Sequence, residues 1–106
     1  MEIEILVVEG CANEEPARVL AERALARAGI EAPIVVTVIS DDQQARARGF
    51  TGSPTILIDG IDPFADPSGQ VGLACRLYSA GGTPSGTPSV EDMEAALLQA
   101  RDSLRS

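Results

Sequence analysis

The chain has 106 residues, 44% of them hydrophobic, which suits one globular domain over residues 1–106 with a modest core and excludes a disordered chain. Its net charge is −8 and every basic residue is arginine, a balance that repels phosphate backbones and anionic lipid surfaces, so neither nucleic acid nor a membrane is expected as a partner. There is no histidine, which excludes Ser-His and Cys-His nucleophile pairs and leaves a metal site only thiols and carboxylates.

The opening residues, MEIEI, are acidic and alternating, unlike the basic start of a signal peptide, and no apolar run nears the ~18 residues of a membrane helix. A cytoplasmic location is the expectation. Residues 3–8 (IEILVV) read as a strand. A helix is predicted over 13–28, with Ala17, Leu20, Ala21, Ala24 and Ala28 at helical spacing and Gly29 as its stop. Pro16 falls in its first turn, where the N–H groups lack intrahelical acceptors in any case.

Residues 34–39 (IVVTVI) form a second strand, apolar enough to be buried on both faces. Ser40 or Asp41 caps a short helix over 41–48 that ends at Gly49. Residues 55–58 (TILI) form a third strand, closed by the turn signal Asp59-Gly60. This β-α-β-α-β order implies parallel pairing for the first units, and Pro54, just ahead of the third strand, gives up one ladder donor at its start.

Residues 61–70 carry two prolines and read as a loop. Residues 73–78 (LACRLY) are favoured as a strand, the alternative being one or two helical turns. Residues 79–88 (SAGGTPSGTP) read as a flexible loop, either a lid or a plain connection. Ser89 caps a last helix, with Asp92 at the capping-box position and Val90, Met93, Ala96, Leu97, Ala100 and Leu104 as the apolar stripe. Phe50, Phe64 and Tyr78 are expected in the core or at its rim.

The two cysteines, Cys11 and Cys75, carry the candidate chemistry. Cys11 falls where the first strand turns into a helix. It is either a small apolar residue at a turn or a working thiol. A helix N-terminus favours the thiolate, whereas Glu14 and Glu15 oppose it. Glu14 is either a proton donor and acceptor beside the sulfur or a carboxylate complementing the helix dipole. Cys75 is either the in-chain thiol that resolves Cys11 or a core-facing residue between Leu73 and Leu77.

A strand ending in a cysteine at a helix N-terminus, then β-α, then Gly52-Ser53-Pro54-Thr55 leading into an apolar strand and a turn, resembles the thioredoxin superfamily. The resemblance implies an α/β thioredoxin-like β-α-β-α-β-β-α fold, a mixed sheet with helices on both faces. It implies a cis Pro54 lying against the cysteine turn, with Ser53, Pro54 and Thr55 as the substrate-binding element. Cys11 would be the nucleophile. The family's C-x-x-C motif reads Cys11-Ala12-Asn13-Glu14 here, so the chemistry implied is of the monothiol type. Cys11 would form a mixed disulfide with a disulfide- or thiol-bearing substrate, and Cys75 or an external thiol would resolve it. No cofactor is implied. A non-catalytic thioredoxin-like binding or assembly module is the competing expectation. The set Cys11, Glu14 and Cys75 is also similar to that of the alkylmercury lyases, in which two thiols hold the metal and an acid protonates the leaving carbon.

Overall fold

The computed structural model describes residues 1–50, 52–64, 78–80 and 83–105. Strand β1 (Ile3–Val8) leads through a tight turn into helix α1 (Glu14–Ala28); β2 (Ile34–Ile39), α2 (Asp42–Arg48) and β3 (Thr55–Ile58) follow. Two short strands, β4 (Tyr78–Ala80) and β5 (Thr83–Ser85), precede the last helix, α3 (Val90–Arg105). The result is a mixed α/β fold in which, among the described residues, β1 is the centre of a three-stranded sheet of order β2-β1-β3. None of the described helices is long and apolar enough to cross a membrane.

Alternation along β1 sends successive side chains to opposite faces. Ile3, Ile5 and Val7 meet Ile56 and Ile58 of β3 on one face, and Ala17, Ala21, Ala24 and Leu25 of α1 pack there with Met93 and Leu97 of α3. Leu6 and Leu57 point the other way and pack with Ile39, Ala45 of α2 and Phe50. Helices therefore cover both faces. The small alanines of α1 let it lie close to the sheet and to α3. Leu25, outside the stripe expected for α1, completes its buried face.

Helix ends follow local chemistry. Asp41 is the cap of α2, its carboxylate accepting the Gln44 N–H at 2.7 Å. Ser89 caps α3 through the Asp92 N–H at 3.1 Å. Gly29 ends α1 at φ 69°, in the left-handed region, with its N–H directed to the Ala26 and Leu25 carbonyls. An alanine methyl there would meet open space, so the cost of Gly29→Ala is one of backbone conformation alone. Thermal or urea unfolding is expected to give a loss of about 1 kcal/mol.

Three expectations are corrected. First, β1 pairs parallel with β2 from Ile3↔Ile34 to Val8↔Ile39, but antiparallel with β3, from Ile3↔Ile58 to Leu6↔Thr55. A seven-residue α2 spans only about 10 Å, half the roughly 20 Å of a six-residue strand. The short helix leaves the chain near the Val8 end, where β3 enters with Thr55 opposite Leu6 and runs back.

Second, β2 is not buried on both faces. It pairs with β1 on one side only among the described residues, and Val35 and Val38 are each 44% exposed. Third, part of the expected 79–88 loop is a ribbon: β4 and β5 pair antiparallel from Tyr78↔Ser85 to Ala80↔Thr83, as a sheet separate from the main one. Residues 73–77 of the expected fourth strand, Cys75 among them, lie outside the described residues, as do 65–70 of the loop before it.

Candidate functional site

Beyond Val8 the chain must leave the sheet and start a helix within a few residues. Gly10 makes this possible: at φ 73° it occupies a conformation that costs other residues energy, and the Cys11 N–H closes the turn onto the Val8 carbonyl at 3.2 Å. The Cys11 carbonyl then accepts the Glu14 N–H at 3.3 Å, and the Asn13 carbonyl accepts the Ala17 N–H at 2.9 Å, which starts α1. Cys11 thus sits two residues ahead of the helix cap, half-buried, with its side chain against the α1–α3 side of the core. It is a free thiol.

The partner of that thiol follows from the sheet register. The β1–β3 ladder ends at Leu6↔Thr55, and two residues further along each strand Ser53 faces Val8. There the serine side chain takes over from the ladder. Its Oγ accepts the Val8 N–H at 3.1 Å and lies 2.9 Å from Cys11 Sγ, to which its hydroxyl donates. Because the Val8 N–H occupies one lone pair of Oγ, the hydroxyl hydrogen is left to point at sulfur. Ser53 is fully buried and Cys11 half-buried, so the contact is reached from the cysteine side. A hydroxyl donated to sulfur is worth more when the sulfur is charged.

The Ser53-Pro54 peptide is cis, and Pro54 and Thr55 are fully buried beside Ser53. Thr55 turns its hydroxyl back to the Gly52 carbonyl at 2.5 Å. The Pro54 carbonyl accepts the Tyr78 hydroxyl. Tyr78 is itself buried and meets Phe64 edge-on, with ring centroids 5.7 Å apart and planes at 87°. Of the three, Ser53 touches the sulfur, while Thr55 and Pro54 are bonded to Gly52 and Tyr78.

Glu14 opens α1 beside Cys11, and among the described residues its carboxylate has no hydrogen-bond or ion-pair partner. Glu15 behaves differently. It pairs with Arg18, which also reaches Glu22 at 2.8 Å, and the hydrogen bond and charge of Glu15 hold the Arg18 guanidinium above its ordinary range. The Glu15 charge is thereby met by a cation on the same helix face. Of the three residues likened to the alkylmercury lyase set, Cys11 lies in the turn ahead of α1 and Glu14 opens the helix, its N–H on the Cys11 carbonyl, and Cys75 is outside the described residues. Among the described residues no three Cys, Asp or Glu side chains converge as metal ligands would.

Sequence reasoning missed two neighbours of the site. One is Tyr78, placed in the core or rim without a role. The other is Gly86, where an added methyl would lie 2.4 Å from Asn13 Nδ2. The Asn13 side chain makes no capping bond to α1 and lies instead where a Cβ of residue 86 would be. Gly81-Gly82 between two three-residue β stretches is the signal that would have pointed to the ribbon behind both contacts.

Compared with protein-family models, curated proteins and solved structures, the chain matches none.

Proposed function

We propose that the chain is a thioredoxin-like monothiol redox protein in which Cys11 is the nucleophile and Ser53 the residue that prepares it. The supporting observation is the buried Ser53 hydroxyl, 2.9 Å from Cys11 Sγ and oriented by the Val8 N–H. The sheet order β2-β1-β3, with β1 parallel to β2 and antiparallel to β3, is compatible with the thioredoxin-like topology that the sequence motif implies.

In the proposed reaction the Cys11 thiolate attacks one sulfur of a substrate disulfide. A new S–S bond forms, the old one breaks, and the released thiolate takes a proton from solvent or from Glu14. A second thiol, from Cys75 or a low-molecular-weight thiol, then attacks the mixed disulfide. Attack at the Cys11 sulfur releases the substrate's second thiol, so the substrate ends reduced by two electrons and Cys11 is left in a disulfide with the resolving thiol. A low-molecular-weight thiol then reduces that disulfide, itself ending as a disulfide, and Cys11 returns to its thiol form.

Ser53 acts as a positioning residue, and its role is tested by alkylation of Cys11 at pH 7 in a Cys75→Ser background. Ser53→Ala is expected to slow the reaction about tenfold, the scale of a hydrogen bond to a charged group. Ser53→Thr, which restores a hydroxyl, is expected to recover most of the rate. A Cys11 that reacts no faster than a free cysteine, and is indifferent to both substitutions, would leave the non-catalytic binding module as the better account.

A further inference from the structure

The charges rooted beside Cys11 are of one sign. Glu9 lies inside the turn that the Cys11 N–H closes onto Val8, and Glu14 opens α1 with its N–H on the Cys11 carbonyl. Both acids therefore spring from the backbone within about 7 Å of the cysteine. Glu9 is exposed and Glu14 half-buried, and among the described residues neither carboxylate has a hydrogen-bond or ion-pair partner. The cation nearest to Cys11 in sequence is Arg18, whose guanidinium is held by Glu15 and Glu22. The wider field has the same sign: the chain carries −8, and Asp66 and Arg76, the charged residues outside the described ones, cancel in that sum.

We infer that Cys11 selects disulfides that carry positive charge beside their sulfurs and turns away anionic ones. This names the substrate class of the proposed thiol reaction and rests on that reading. The exchange itself is the same for either kind of disulfide. The Cys11 thiolate forms a bond to one sulfur, the old S–S bond breaks, and the released thiolate takes a proton from solvent. What differs is the work of bringing the substrate to a half-buried sulfur past two carboxylates that no cation meets. At about 7 Å in water, one pair of unit charges changes a rate roughly twofold. The effect reaches about 30 Å at about 0.01 M salt and about 8 Å at physiological ionic strength. Two carboxylates that attract one substrate and repel another therefore separate the two about tenfold at low salt.

The test compares two small disulfides of similar length on Cys11 in a Cys75→Ser background at pH 7: cystamine, with two ammonium groups, and dithiodipropionate, with two carboxylates. Mixed-disulfide formation is followed by mass spectrometry, and each rate is divided by that of the neutral thiol N-acetylcysteinamide with the same reagent. The corrected cystamine-to-dithiodipropionate ratio is expected to be about ten at about 0.01 M salt, and to fall within about twofold of one at about 0.5 M. Glu9→Gln and Glu14→Gln are each expected to lower it about threefold at low salt. A change in the readiness of the thiol, or in proton delivery by Glu14, moves both rates alike and cancels in the ratio. Circular dichroism checks that the variants fold. The disulfide dimers of Lys-Cys-Lys and Glu-Cys-Glu carry the comparison to peptides: an equal or larger ratio supports selection of a basic protein segment, and a ratio confined to the small pair supports selection of an amine-bearing small molecule. A low-salt ratio within twofold of one for both pairs overturns the inference, and so does a ratio that neither substitution lowers. The outcome is separable from the functional proposal. A Cys11 no faster than free cysteine with the neutral reagent hydroxyethyl disulfide defeats that proposal while the ratio still reports selection, whereas a fast Cys11 with a ratio of one leaves it standing and defeats only the selection.

Discussion

Replacing Phe50 by alanine is expected to lower the unfolding free energy by about 3–5 kcal/mol, a large share of the 5–15 kcal/mol typical of a domain. Phe50 is fully buried and is the largest side chain of the smaller cluster, with Leu6 of β1, Ile39 of β2, Leu57 of β3 and Ala45 of α2. It is the residue of that cluster whose size lets α2 reach all three strands. Ala45 presents only a methyl, so nothing on α2 can collapse into the space a missing ring would leave. The Phe50 N–H closes onto the Ala45 carbonyl at 2.8 Å, which fixes the ring's direction as the chain leaves the helix. Phe50→Leu keeps most of the apolar volume and is expected to cost less than half as much. Urea unfolding of the two variants checks this. A loss below about 1 kcal/mol for the alanine variant would mean that the ring is not the pillar of this face.

The elements themselves were legible because their signals are local. Alternating and β-branched runs mark β1, β2 and β3, and Gly29, Asp41, Gly49 and Ser89 mark helix ends by capping chemistry that needs no distant partner. What escaped were features that depend on which end of the sheet a strand enters. The direction of β3 decides that Ser53 faces Val8, and hence that its hydroxyl meets Cys11. The Gly52-Ser53-Pro54-Thr55 motif marked the right segment by resemblance, yet the serine's hydroxyl, the group that reaches sulfur, was not foreseen. The same non-locality explains β2: a nearly all-apolar run cannot reveal that, among the described residues, it pairs on one side only. Tyr78 and Gly86 meet Pro54 and Asn13 through long-range placement of the β4–β5 pair, which no local signal carries.

Cys11→Ser is expected to abolish mixed-disulfide formation with a small disulfide such as oxidised glutathione, read by mass spectrometry, while changing stability by less than about 1 kcal/mol. Serine carries no sulfur to exchange, yet its Oγ still offers an acceptor to the Ser53 hydroxyl. Cys11→Ala separates the two roles. Alanine is as apolar as the site's neighbours, and a purely hydrophobic account of this half-buried position would rank it above serine. It leaves the fully buried Ser53 hydroxyl without its acceptor, at a cost of about 1–3 kcal/mol. The alanine variant is therefore expected to unfold at lower urea than the serine variant, the reverse of their hydrophobic order. If alanine proves the more stable of the two, the Ser53–Cys11 hydrogen bond contributes nothing, and the proposed preparation of the thiol loses its physical basis. Cys75→Ser completes the set. With a Cys75 resolver, the mixed disulfide at Cys11 builds up in that variant and not in the wild type; with an external thiol as resolver, it builds up equally in both until that thiol is added.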